Sequence, residues 1–142
     1  MDFEYFYGKQ SSQYAFYRIP KQLFSESQFD ALSIGAKLLY GMMIDRMELS
    51  QKNGWIDKHG RAYIYFTVDE VKNRFHCAND KAVKLMKELD SDKGTGLIES
   101  VRQGLGKLYF AFLCAVNRVI HDSIACYAHF HDAREGFRIG LI

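Results

Sequence analysis

The stretch TVDEVKNRFHCANDKAVKLMKELD, residues 67–90, constrains the fold more than any other part of the chain. Wound as a helix at about 100° per residue, its second half places Ala82, Leu85, Met86 and Leu89 within one arc of about 100°. Lys81, Lys84 and Lys87 fall in an arc of about 120° centred nearly opposite. One face is made to be buried, and the other offers three cations to something outside. The first half carries its own start signal: Thr67 and Glu70 have the spacing of a capping box, in which each side chain satisfies a free amide of the first turn. The residues HCA separate the two helices, and Asn79, with its side-chain oxygen, is the expected N-cap of the second. Two short helices with a tight turn between them make a helix-turn-helix.

The flanking sequence supplies the rest of an architecture. Ser33 opens SIGAKLLYGMMIDRMELS, where Ile34, Leu38, Leu39, Met42, Met43 and Met47 recur at helical spacing and predict one long amphipathic helix ending near Leu49. The run RAYIYF favours a strand through its aromatic and β-branched residues. Beyond the break at SDKGTG, LIESVRQ and LYFAFLCAV flank a turn containing Gly104 and Gly106, which reads as a hairpin with a basic tip. Near the amino terminus, Pro20 pushes Ile19 toward an extended conformation, so FYRIPKQLF suggests a short strand or arm. Helix, strand, helix, turn, helix, hairpin is the winged-helix order. The expected fold is α+β, a winged helix-turn-helix with a two-stranded β-hairpin wing and an amino-terminal extended arm. The expected divisions are an arm over 1–32, a winged-helix DNA-binding domain over 33–114 and a divergent carboxy-terminal tail over 115–142.

Charge gives the helix pair a direction. The net charge of +2 conceals a local excess: residues 71–107 hold eight Lys and Arg against five Asp and Glu, whereas residues 1–70 hold eight against nine. A basic excess confined to the segment with the lysine stripe suits a polyanion. In a helix-turn-helix the second helix enters the major groove with its amino-terminal residues near base edges. That assigns Asn79, Lys81 and Lys84 to the groove, with Lys87 and Lys93 nearer the backbone. Asn79 is both the expected cap and a possible reader of adenine. Asp80, within the stripe, either favours the helix macrodipole or accepts from cytosine N4. Lys72 and Arg74 on the first helix are secondary phosphate candidates, and Arg102, Gln103 and Lys107 would bring the wing to a minor groove or its phosphates. Tyr63, Tyr65 and Phe66 could form a stacking platform for single strands, but strand alternation places half of them in the core, and core packing is the favoured reading.

Other chemistries find less in the chain. A length of 142 residues with 48% hydrophobic content suits one folded domain, and no apolar run reaches the length of a membrane span. The opening MDFEYFYGKQ is unlike a signal peptide, so the expected location is the cytoplasm. Cys77, Cys114 and Cys126 are expected to be reduced and partly buried. His121, Cys126, His129 and His131 cluster in the tail without a zinc-like spacing, and no metal or cofactor is expected. Neither a P-loop nor a nucleophile motif is present, Cys77 beside His76 has no supporting partner, and the expectation is a binding protein rather than an enzyme.

The run FYRIPKQLF, then LSIGAKLLYGMMIDRMELSQKNGWIDKHGRAYIYFTVDEVKNRFHCANDKAVKLMKELD and GLIESVRQGLGK, resembles the amino-terminal domain of the plasmid replication initiator protein A family over roughly residues 14 to 107. That family occurs in plasmids and mobile elements of Gram-positive bacteria. The resemblance implies a winged-helix domain that binds repeated double-stranded sites at a replication origin. It also implies a homodimer or higher assembly and recruitment of host replication proteins through a second domain. Residues 79–89 correspond to the recognition helix and 102–107 to the wing. After GLGK the chain departs from the family pattern, reading LYFAFLCAVNRVIHDSIACYAHFHDAREGFRIGLI where a linker and a second domain are expected. Three functions therefore stand: the origin-binding part of an initiator, a winged-helix transcription regulator, or a protein-interaction module whose basic stripe meets an acidic partner.

Overall fold

Thr67 begins the central unit as expected. In the computed structural model, which describes residues 3–102 and 108–114, its hydroxyl accepts from the Glu70 amide at 3.0 Å while the Glu70 carboxylate accepts from the Thr67 amide at 2.8 Å. This capping box opens helix α3, Val68–Phe75. His76 ends it in the left-handed region (φ 46°), and its amide returns to the Lys72 carbonyl. Only Cys77 and Ala78 then separate α3 from helix α4, Asn79–Leu89.

Ahead of this pair lie α1, Gln22–Ser25, α2, Ile34–Asn53, and strand β1, Tyr63–Thr67. Behind it come β2, Ile98–Arg102, and β3, Leu108–Leu113. β2 and β3 pair antiparallel, from Ile98 opposite Leu113 to Arg102 opposite Tyr109, which is the expected hairpin. β1 also pairs antiparallel with β3, Tyr63 opposite Phe112, giving a three-stranded sheet in the order β1-β3-β2. Ile64, Phe66, Ile98 and Ala111 are buried with Val68 and Val71 of α3 and the apolar side of α4.

α2 differs from its sequence reading in length and in phase. It runs to Asn53 and is closed by Gly54 in the left-handed region, rather than ending near Leu49. Ser33 caps it as expected, accepting from the Ala36 amide at 3.2 Å. The buried residues are Ala36, Lys37, Leu39, Tyr40, Gly41, Met43 and Ser50, whereas Ile34 is 71% exposed and Leu38 38% exposed. The reason is that α2 is covered from more than one side. α4 and β1 contact it, Phe24 of α1 lies under the Lys37 ammonium at 4.9 Å, and the incoming chain crosses it at Gly41. A Cβ on Gly41 would stand 2.7 Å from Ile19 Cγ1 and 3.3 Å from the Arg18 carbonyl oxygen.

The stretch expected as an arm over 1–32 therefore divides. Residues 3–18 are exposed, but Leu23, Phe29 and Leu32 belong to the same core as the sheet and α4, with Ile19 packed against it. The packed part begins near Ile19 rather than at Ser33, because Pro20 leads into α1 and a short 3-10 turn over Ser27–Phe29 that aim these apolar side chains inward.

The loop between α2 and β1 is ordered by one side chain. Asp57 accepts from the His59 and Arg61 amides at 2.9 and 2.8 Å and from Arg61 Nε at 2.8 Å. Burial alone would raise its pKa, but these hydrogen bonds and the Arg61 charge hold it below the ordinary carboxylate value.

Candidate nucleic-acid interface

α4 has the phase its sequence requires. Ala82, Leu85, Met86 and Leu89 are 0%, 4%, 7% and 0% exposed, while Lys81, Lys84 and Lys87 are all exposed. Burial of four apolar side chains on one side is what turns the three ammonium groups outward together. Asn79 and Asp80 are exposed at the start of the helix, and Lys93 is exposed in the loop that follows it.

One assignment is corrected. The N-cap of α4 is Ala78 (φ −70°, ψ 162°), which has no side-chain acceptor to offer, and Asn79 is the first helical residue. The left-handed turn at His76 reverses the chain quickly enough for α4 to begin one position early, with the Ala82 amide already bonded to the Ala78 carbonyl at 3.1 Å. The Asn79 side chain is thereby relieved of the capping role that competed with contact to a ligand.

The helix is fastened at its far end by residues that charge patterning did not single out. Glu88 accepts from the Ser33 backbone amide at 2.8 Å, joining α4 to the start of α2. Asp90 accepts from the Ser100 amide at 3.2 Å and the Asp92 amide at 2.9 Å, joining the end of α4 to β2 and to its own loop. In that loop the Gly94 amide bonds the Asp90 carbonyl at 2.8 Å and the Thr95 amide bonds the Glu88 carbonyl at 2.9 Å. A Cβ on Gly94 would collide with the Glu88 and Lys87 carbonyl oxygens, so this close approach requires glycine. A signal for both acidic residues existed: carboxylates at a helix carboxy terminus oppose the macrodipole and so indicate a specific partner.

The first helix presents its two cations unequally. Lys72 is half-buried and pairs with Asp69 at 3.2 Å. Arg74 is exposed, and its NH1 donates to the Tyr17 hydroxyl at 2.8 Å. Arg102 ends β2, but its side chain, together with Gln103 and Lys107, lies outside the described residues, as do His121, Cys126, His129 and His131. Cys77 and Cys114 are half-buried.

Two further groups hold the scaffold beneath the helix pair. Arg46 of α2 reaches Glu70 at 2.8 Å and lies over the Phe66 ring at 5.3 Å. Burial would raise the Glu70 pKa, but bonds from Arg46 and Thr67 and the Arg46 charge hold it below its ordinary value. The Tyr40 hydroxyl donates to the Cys114 carbonyl, and burial, with a smaller contribution from Cys114, pushes its pKa up to about 12. Phe66 is in the core as expected. Tyr63 and Tyr65 lie on the opposite side of β1, half-buried, where Tyr65 meets Trp55 and Tyr63 edge-on at 5.0 and 5.6 Å.

Fold and charge together define a winged helix-turn-helix domain whose second helix is lysine-faced. The family model for the replication initiator protein A (RepA) N-terminus matches residues 15–129, and the chain belongs to that family. A 41 kDa protein of Lactobacillus helveticus is 33% identical over 89 residues, a match that covers 63% of this chain and 24% of that protein. Solved structures agree over nearly the whole chain. One described as the N-terminal domain of a DNA binding protein is 26% identical, with a TM-score of 0.63, covering 94% of this chain and 98% of its own. One described as a Rep–DNA complex is 26% identical with a TM-score of 0.63, covering 93% and 97%. One described as an MDR initiator is 27% identical with a TM-score of 0.62, covering 91% and 98%. Among the described residues no helix is long and apolar enough to cross a membrane, and no three His, Cys, Asp or Glu side chains cluster in a way that could hold a metal ion.

Proposed function

We propose that this domain binds double-stranded DNA at repeated sites of a plasmid or mobile-element replication origin, as the origin-recognising part of an initiator. α4 lies in the major groove. Asn79, Lys81 and Lys84 face base edges and nearby phosphates, Lys87 and Lys93 face the backbone, and Arg74 with Lys72 neutralises phosphate from α3. Arg102, Gln103 and Lys107 complete the contact from the wing. The observation that carries this reading is the pairing, on one short helix, of a fully buried apolar face with three exposed lysines. Family membership and the neighbour solved with DNA support it.

The work of the domain is binding in the cytoplasm rather than catalysis, and repeated sites favour a homodimer or higher assembly. Recruitment of host replication proteins belongs to a second domain of the initiator. Fluorescence anisotropy on duplexes tiled across the gene and its flanks, at two salt concentrations, tests the reading. Tight, salt-sensitive binding to one repeated element is expected. Replacing Lys81 and Lys84 together with Ala should weaken that binding at least about tenfold without unfolding the domain, since both lie off the apolar face. Equal, weak binding to every duplex would overturn origin recognition and favour an acidic protein partner for the stripe.

A further inference from the structure

Arg74 and Tyr17 are 57 residues apart in sequence, and both are exposed, yet the guanidinium NH1 donates to the phenol oxygen at 2.8 Å. The chemistry of this contact separates it from the ion pairs elsewhere on the surface. Lys72, two residues earlier on α3, is bonded to the Asp69 carboxylate, which offsets part of its charge. A phenol is neutral, so it fixes the direction of the Arg74 guanidinium while leaving its charge whole. Arginine has five N–H donors in a rigid fork, and one bond to a hydroxyl leaves capacity for a bidentate contact with phosphate. Arg74 also stands in the last turn of α3, just before the left-handed His76 that leads into α4.

Tyr17 is not placed there by chance drift of a loose segment. The two residues after it are seated on α2, where the chain passes so close to Gly41 that a Cβ there would meet Ile19 and the Arg18 carbonyl. Ile19 packs against the core. The phenol is therefore presented from a fixed point immediately beside the helix pair.

We propose that Tyr17 is a positioning residue for a phosphate contact. Its hydroxyl holds the Arg74 guanidinium toward the backbone of a duplex lying on α4, which makes the amino-terminal segment part of the DNA-binding surface. This rests on the DNA-binding reading above.

The test uses the full chain and a fluorescein-labelled duplex from the tiling series, with affinity measured across a salt series. Tyr17→Phe removes one exposed hydroxyl and should leave thermal unfolding unchanged while raising Kd about three- to tenfold. The slope of log affinity against log salt should fall by up to about 0.9, the loss of one phosphate contact, which a merely structural role would not produce. Arg74→Gln should do the same, and Tyr17→Phe should add nothing in the Arg74→Gln background. Arg74→Lys keeps the charge but loses the fork, and should resemble Tyr17→Phe. Wild-type affinity and slope in Tyr17→Phe, or equal weakening by Tyr17→Phe with and without Arg74, would overturn the proposal. The Lys81, Lys84 double variant separates the two readings. If it weakens binding while Tyr17→Phe does not, only the role of Tyr17 falls; if it binds as wild type, the DNA-binding face is misassigned and the Tyr17 role falls with it.

Discussion

α4 and α2 are both amphipathic by sequence, yet only α4 packs as its pattern says. α4 lies on the core with one side and leaves the other to solvent, so its four apolar residues are all at most 7% exposed and its lysines are outside. α2 is clasped between the sheet and α4 on one hand and the incoming chain on the other. Gly41 and Ser50 are buried in it, while Ile34 stands 71% exposed. Hydrophobic periodicity describes a helix with one covered side. Where two sides are covered, contacts are made by small or polar residues that no apolar pattern records.

The sharpest way to break this comparison is to cut into the inner side of α2. Leu39 is fully buried, and Leu39→Ala should destabilise the domain by about 2 to 5 kcal/mol in urea unfolding. Met86→Ala on α4 should fall in the same range, about 2 to 5 kcal/mol. If Leu39 cost far less than Met86, the two helices would not share one core.

The outer side of α2 is probed next. Gly41→Ala places a methyl group where Ile19 and the Arg18 carbonyl already lie, and should cost about 1 to 3 kcal/mol by overpacking despite the better helix propensity of alanine. A neutral or stabilising result would show that the chain at Arg18 and Ile19 is not seated on α2, and with it the anchoring of Tyr17 would be lost.

These contrasts also explain what could be read from the sequence. The α3–α4 pair is legible because its signals are local: a capping box within four residues, and an apolar arc from Ala82 to Leu89 repeated over about two turns. The hairpin was legible from its two glycines. The pairing of β1 with β3, the entry of Leu23, Phe29 and Leu32 into the core, and the bond between Arg74 and Tyr17 were not legible. Each joins residues far apart in the chain, and only the closed fold brings them together. α4 starts one residue earlier than the cap rule gives, because that rule assumes that a capable side chain is used, whereas the left-handed His76 sets the start by geometry.

The scaffold between the two helices gives a smaller, pH-dependent effect. Arg46 of α2 and the Thr67 cap of α3 meet at Glu70, whose pKa is held below its ordinary value of 4.5. A depressed carboxylate contributes stability that is fully present above the ordinary value and is lost as pH falls through the folded one. Glu70→Gln should therefore cost about 1 kcal/mol at neutral pH. The difference from wild type should close as the solution is acidified below the ordinary pKa. A difference that stayed constant down to strongly acidic pH would mean that the charge of Glu70 is not what joins α2 to α3.

The smallest expected effect is the most pointed test of the phase of α2. Ile34 follows the Ser33 cap as the first residue of the helix and is 71% exposed, so its truncation removes little buried surface. Alanine is also the better helix former, and the two contributions nearly cancel, leaving Ile34→Ala within about 0.5 kcal/mol of wild type. The sequence pattern alone groups Ile34 with Leu39 and Met43 and would give it a core penalty. A loss of about 2 kcal/mol or more would mean that α2 is rotated toward that pattern. Gly41 could not then lie beneath Ile19, because both contacts depend on the same rotation of one rigid helix. A single exposed isoleucine thus reports on whether the amino-terminal segment, and the tyrosine it carries, sits beside the helix pair.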